Sequence, residues 1–391
     1  MRKVIVAGIG QTAFGKFLYR NMRSLAEEAL RHAAQDAGID TSRIDVVYFA
    51  NALSGLITGQ ETIRGQVALR NTPLMGKPIV NIDNACASGS SAFNLAWLAV
   101  ASGQVDVALA IGAEKLTHED KAVTFGAFAS GVDVEERNRM MHETPGTHSL
   151  FMDIYAARTR KYMAASGATA EDLAAVCVKS RHGASLSPWA QFRDGISVTE
   201  VLNARVISAP LTLPMCSPIA DGAAAAILVS EEVAKSLGCA NVVVRASKIV
   251  TANQDGTDPV CAARAGQQAY EQAGLGPEDI HVAEVHDASA AAEIILYERL
   301  GFAEPNRGAE LLRQGVTSIG GRLPVNPGGG LLSRGHPVGA TGIAQIIELT
   351  TQLRGNAGRR QRKGAKVALA ECSGGEIGAD SALAAVTILA V

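Results

Sequence analysis

The chain has 391 residues, with 36 Lys and Arg against 38 Asp and Glu, and its formal charge of −2 offers nucleic acid no basic face. Aromatic residues make up 4% of the chain while glycine numbers 40, which suits closely packed α/β layers better than a β-sandwich or a base-stacking platform. The 6 cysteines include no CxxC pair and no ligand spacing, so neither a disulfide framework nor a metal site is expected, and a reduced cytoplasm is the simplest setting.

No apolar run reaches the ~18 residues of a membrane helix. The start, Met1-Arg-Lys, has a basic tip but lacks a cleavage site of small residues, so Val4–Ala7 reads as a first β-strand. Ser24-Leu-Ala-Glu27 has the form of a capping box that opens a helix with Leu25, Ala29, Ala33 and Ala37 on one face, ended by Gly38. A strand at Val46–Ala50 completes a strand, helix, strand unit of the kind that builds parallel sheets.

The same phrase returns in the second half. A strand at Val242–Arg245, an Asp258-Pro259 helix start, a helix running to Gly274 and a strand at Ile280–Val285 repeat the order. Ala37-Gly-Ile-Asp-Thr-Ser-Arg-Ile-Asp-Val46 aligns with Ala273-Gly-Leu-Gly-Pro-Glu-Asp-Ile-His-Val282 at an offset of 236, and Val107–Ala110 with Val367–Ala370 at 260. Helical stretches at Ala92–Ala101 and Ile343–Leu353 precede the second pair. The predicted architecture is therefore two similar α/β halves, residues 1–240 and 241–391. Residues from about 116 to 208 form an insertion richer in charge, aromatics and turns, and Pro210–Ser230 returns to apolar strand.

Cys86, in Asn84-Ala-Cys-Ala-Ser-Gly-Ser90, follows the strand-like Ile79–Ile82 and precedes a helix starting near Ser88. A helix N-terminus favours a thiolate, and hence a nucleophile, although a single cysteine is more often an inert apolar residue. At the matching place in the second half, Gly328-Gly-Gly-Leu-Leu-Ser-Arg-Gly-His336 sets a histidine between a glycine-rich loop and a helix start. Matching loops of a duplicated fold can meet, which would make His336 the base for Cys86; a capping or core histidine is the alternative. Cys372, in Ala370-Glu-Cys-Ser-Gly-Gly375, and His286-Asp287 stand at the carboxyl ends of strands, where α/β sites are built. Cys177, Cys216, Cys239 and Cys261 are assigned to packing. Arg359–Lys363 reads as an exposed basic loop.

Together these parts resemble the thiolases along essentially the whole chain. The resemblance rests on Val6–Gly15, Asn84–Gly89, Asp221–Ala225, Asn326–Gly342 and Cys372–Gly375. Gly8-x-Gly10 is not a dinucleotide fingerprint, because the third glycine of G-x-G-x-x-G is missing.

The family implies a five-layer α-β-α-β-α fold and attack of Cys86 on the 3-keto carbon of a 3-oxoacyl-CoA. It implies that His336 assists the thiolate and that backbone N–H groups of Cys86 and Gly374 hold the oxyanion. His336 with a water would then stabilise the enolate of the departing acetyl-CoA, and Cys372 would act as acid and then as base toward CoA. No bound cofactor is implied, CoA being the co-substrate.

Where many thiolases carry Asn-Glu-Ala-Phe, this chain has His286-Asp-Ala-Ser289, which is similar to the sterol-carrier-type and archaeal-type groups. There His286 would hold the oxyanion-hole water. Ser289 in place of a phenylalanine implies a roomier acyl pocket, for a bulky, branched or aryl-bearing group such as the benzoylsuccinyl-CoA that one subset cleaves. The family further implies a homodimer or dimer of dimers, and in some members a small zinc-ribbon and OB-fold partner. Lys179, Arg181 and His182 fit either CoA phosphates or a solvated helix face. A condensing enzyme of the ketoacyl synthase or hydroxymethylglutaryl-CoA synthase kind would lack an equivalent of Cys372. A non-thiolytic subunit, acting as a retro-aldolase or lipid-binding partner, is the other reading.

Overall fold

The computed structural model describes residues 1–143, 149–239, 242–253 and 260–391. Its strands are β1 (Val4–Gln11), β2 (Val46–Ala50), β3 (Ile79–Ile82), β4 (Val107–Glu114), β5 (Val206–Ser208), β6 (Leu211–Thr212), β7 (Gly222–Ser230), β8 (Val243–Thr251), β9 (Val282–Glu284), β10 (Val367–Gly374) and β11 (Leu383–Ala390). β5 and β6 pair with each other, and the rest form one nine-stranded sheet in the order β3-β2-β4-β7-β1-β8-β11-β10-β9.

That sheet is two copies of one pattern. In the first block β2 is parallel to β3 and β4, while β7 runs antiparallel between β4 and β1. In the second, β9 is parallel to β10, and β11 runs antiparallel between β10 and β8. A parallel bridge from Ala283 to Val325 stands where β2 pairs with β3. The blocks meet through a single register pair, Ile5 with Val243, so the sequence repeat is a repeat of topology.

Strands β4 and β7 are buried at every residue, as a sheet covered on both faces requires. The helices Ser88–Ala101 and Val338–Leu353 lie against each other between the blocks; the first touches β2, β4, β8 and β11, the second β4, β7, β9 and β10. Both are apolar nearly all round because both flanks are covered. The amphipathic helices Met22–Ala37 and Cys261–Ala273 close the outer faces on β1 and β7 and on β8 and β11. The five layers follow.

Two expectations change, and others fall outside the described residues. The first helix starts at Met22, because the Asn21 side chain accepts the Ser24 amide, so Ser24 and Glu27 are not its capping box. The Asp258-Pro259 start and the 240/241 boundary lie outside the described residues, and the helix there runs Cys261–Ala273 behind Val260. Arg360 is not part of an exposed loop: it is buried and its Nε sits 3.0 Å from Glu348, while Arg359 and Lys363 are exposed.

The inserted region is helical, and its Ala170–Ser185 helix lies over the Gly330–Arg334 turn, where Ser180 Oγ donates to Gly329 O at 2.6 Å. Among the described residues no helix is long and apolar enough to cross a membrane.

Candidate active site

Two helix starts meet at the centre of the molecule, and glycine is what lets them approach. A Cβ on Gly342 would stand 2.5 Å from Ser90 N, and one on Gly89 2.9 Å from Gly339 O. Cys86 directly precedes one of these helices and His336 the other, so the packing of the helices sets the distance between the two side chains. Cys86 Sγ and His336 Nε2 are 3.3 Å apart.

The proton assignment follows from Thr341. Its hydroxyl donates to Pro337 O at 3.1 Å, so its oxygen accepts from His336 Nδ1 at 2.8 Å. Nδ1 therefore carries the ring proton, and the free lone pair of Nε2 faces the thiol. Burial, with the positive potential of His286 and Arg334, holds the His336 ring well below the ordinary imidazole range. Burial first, then Glu376 and Glu114, pushes the Cys86 thiol up to about 12. The helix N-terminus does not leave a resting thiolate, contrary to the expectation from sequence. Both shifts favour the uncharged forms, a thiol facing the Nε2 lone pair of a neutral imidazole.

The turn that carries Cys86 is strained and tightly held. Ala85 adopts a left-handed conformation, φ 48°, uncommon for a residue with a side chain and typical of functional turns. Asn84 N donates to Ser88 Oγ at 2.8 Å, and the Asn84 side chain donates to Ser91 Oγ at 2.9 Å. Cys86 itself is only partly buried.

Cys372 comes to the same place along β10. Its thiol donates to Cys86 O at 3.1 Å, and burial, with the charge of Glu371 and the neighbouring Cys86, keeps it protonated. Gly374, two residues on, lies so close to the Cys86 turn that a Cβ there would be 2.3 Å from Asn84 O.

His286 completes the cluster, its ring centroid 5.3 Å from that of His336 in an edge-on arrangement. Its backbone N–H donates to Glu371 at 3.0 Å, its Nε2 has no partner among the described residues, and burial lowers it to about 4. Ser289 is buried and caps the Ala290–Arg299 helix, accepting from Ala292 N at 3.3 Å.

Asp287, which the sequence marked together with His286 at a strand end, accepts Leu331 N at 2.7 Å and so holds the glycine-rich turn. Two further supporting residues carried no signal in the sequence. Glu114, at the end of β4, is buried and accepts from Leu53 N, Ser54 N and Gly339 N, tying the second central helix to the first block. A lone glutamate at a strand end has no motif. Thr341 stands within the segment that was read but has no local pattern that marks it as a hydrogen-bond partner of His336. Thr341→Val keeps the shape and removes the acceptor; we expect kcat to fall roughly 10–100-fold with little change in KM, measured by steady-state kinetics.

Lys179, one of the candidate phosphate contacts, is turned inward: its Nζ is 2.5 Å from Glu293 and donates to Val325 O at 2.8 Å. Arg181 lies over the Phe192 ring, 4.5 Å from its centroid, and His182 is exposed.

Comparison with known proteins agrees with this geometry. Residues 4–208 match the family model "Thiolase, N-terminal domain" and residues 244–389 "Thiolase C-terminal domain-like". The chain is 38% identical over 381 residues to an acetyl-CoA acetyltransferase of Methanothermobacter thermautotrophicus, covering 96% of this chain and 97% of that one. It is 37% identical over 384 residues to the benzoylsuccinyl-CoA thiolase subunit BbsB of Thauera aromatica, covering 96% and 95%. Among solved structures it resembles the Ltp2-ChsH2(DUF35) aldolase, with TM-score 0.81, 25% identity and coverage of 100% and 98%. The human mitochondrial 3-ketoacyl-CoA thiolase shares the fold at TM-score 0.75 and 17% identity, with the same coverage of both chains. With both halves matched and relatives aligned over nearly their full length, this chain belongs to the thiolase family and is an acyltransferase.

Proposed function

We propose that the enzyme cleaves a 3-oxoacyl-CoA with CoA, or runs the reverse Claisen condensation, through an acyl group on Cys86. The observation that carries this reading is the 3.3 Å contact between Cys86 Sγ and His336 Nε2, with the Cys372 thiol against the Cys86 carbonyl.

His336 takes the thiol proton as the sulfur attacks the 3-keto carbon, and the Cys86 and Gly374 N–H groups receive the oxyanion. One such donor is worth about 3–4 kcal/mol where its loss has been measured. The C2–C3 bond breaks to leave acyl-Cys86 and the enolate of acetyl-CoA, which His336 and a water held by His286 stabilise while the Cys372 thiol protonates its carbon. The Cys372 thiolate then deprotonates incoming CoA, whose sulfur takes the acyl group and releases Cys86.

Cys372→Ala separates the halves of this cycle. We expect kcat to drop by roughly 10³-fold, while mass spectrometry still detects a fraction of chains acylated at Cys86. Full activity of this variant ends the acid/base assignment.

Ser289 is proposed to make room for a bulky, branched or aryl-bearing acyl group, in line with the likeness to the BbsB subunit. A panel of 3-oxoacyl-CoAs tests this: acetoacetyl-CoA cleaved much faster than every branched or aryl substrate would overturn it. BbsB, named as a subunit, and the structure named Ltp2-ChsH2(DUF35) aldolase support a small partner protein here. The solved aldolase also favours a second reading, a non-thiolytic retro-aldolase subunit, which predicts no adduct on Cys86 with any substrate of the panel.

A further inference from the structure

Among the described residues, Cys86, His286 and His336 each offer a donor atom, and these atoms all lie within 4.8 Å of one another. We propose that this trio is also a binding site for a thiophilic divalent cation, zinc above all, which blocks the enzyme by occupying the nucleophile and its base together.

The donor set is the argument. One sulfur and two imidazole nitrogens match the Cys and His ligands that zinc prefers, and a three-ligand set leaves a fourth position for water. Ideal zinc bonds of about 2.0–2.3 Å place tetrahedral ligands about 3.3–3.6 Å apart. Cys86 Sγ and His336 Nε2 already stand at 3.3 Å, and since no two donors are more than 4.8 Å apart, the trio needs at most about 1.5 Å of closure.

His286 also points to a ligand. It is 4% exposed, yet among the described residues its Nε2 has no hydrogen-bond partner, which leaves that nitrogen to a water during the reaction or to an ion in its place. His336 is prepared in the manner of a metal ligand: Nδ1 is held by Thr341 and Nε2 is turned to the site. Cys86 is partly exposed, so an ion has access from solvent. On binding, the sulfur–metal bond replaces the S–H bond and one proton passes to the buffer; no electron moves. The donors come from three separate segments, which is why no ligand spacing marks them.

The test is a titration of the full chain with Co²⁺ in the absence of any acyl-CoA, so that it reads metal binding whether or not the thiolytic reading holds. One equivalent is expected to give a sulfur-to-cobalt charge-transfer band and the intense visible bands of four-coordinate cobalt, and Zn²⁺ is expected to displace it. Cys86→Ser should abolish the charge-transfer band. His286→Ala should weaken Zn²⁺ at least about tenfold in competition with a chromophoric chelator, with the iodoacetamide rate of Cys86 checking that the pocket is intact. Only weak, six-coordinate cobalt bands in the unaltered protein would overturn the proposal. So would a charge-transfer band that survives Cys86→Ser, or Zn²⁺ affinity unchanged by His286→Ala.

Discussion

Replacing Cys86 with alanine is expected to remove thiolysis altogether, with at least a 10⁴-fold loss of kcat and no acyl adduct on any other cysteine. No neighbouring group can take over. Cys372 is fully buried and its thiol is committed to the Cys86 carbonyl, while His336 without a thiol has nothing to deprotonate. Cys86 is only partly buried, so removal of one sulfur should change stability by about 1 kcal/mol or less, and loss of turnover will not be loss of fold. Residual turnover above about one part in a hundred would place the nucleophile elsewhere.

The pH profile of the unaltered enzyme checks the state of the pair. A base held well below the usual imidazole range stays neutral on acidification, and a thiol at about 12 stays protonated on going alkaline. The rate of Cys86 acylation should therefore be flat between about pH 7.5 and pH 9, above the range of the Glu371 and Glu376 carboxyls that burial raises to about 7, because neither partner changes charge there. A rate still rising through pH 8 and 9 would show that Cys86 ionises like an ordinary thiol and that the neutral pair is wrong.

The second large effect comes from a glycine outside the cluster of thiols and imidazoles. In Gly342→Ala the new methyl group would stand 2.2 Å from Ser90 Oγ and 2.5 Å from Ser90 N, and the latter is backbone that cannot swing aside. The first turns of the two central helices must separate, and with them Cys86 and His336. Overpacking of this kind costs about 1–3 kcal/mol, and a displacement of about 1 Å between reacting groups costs about 10²-fold in rate. We expect both, read by thermal unfolding and by single-turnover acylation of Cys86. Gly126→Ala is the control: open space surrounds its Cβ, so stability and rate should hold.

Some of this was legible along the chain. The repeat from Ala37 to Ala273 appeared as shared residue order, and it is a shared strand topology, because each block needs the same strand, helix, strand units to cover its own sheet. The strands at Val46–Ala50 and Val107–Ala110, the second running on to Glu114 in the fold, were visible for the same reason: continuous apolar runs mark strands buried on both faces. Helix starts were harder. Ser24 and Glu27 have the spacing of a capping box, yet Asn21 caps the helix three residues earlier, and spacing alone cannot say which of two competent side chains wins.

Around the site, Cys86, His336, Cys372 and His286 were each marked by position, at helix starts and strand ends of a repeated unit. Lys179 shows the opposite case: a lysine in a helix of mixed character suits solvent, phosphate or a buried partner equally, and Glu293, more than a hundred residues away, decides the matter.

The order of elements, the duplication and the identity of the chemical groups were thus settled by local residue patterns, which act through propensity and periodicity over a few turns of chain. The distances between groups, the tautomer of His336, the neutral state of Cys86 and the gathering of a sulfur with two imidazoles were decided only by the fold. Those properties depend on burial and on close approach through glycine between segments some two hundred and fifty residues apart, and no short stretch of chain encodes either.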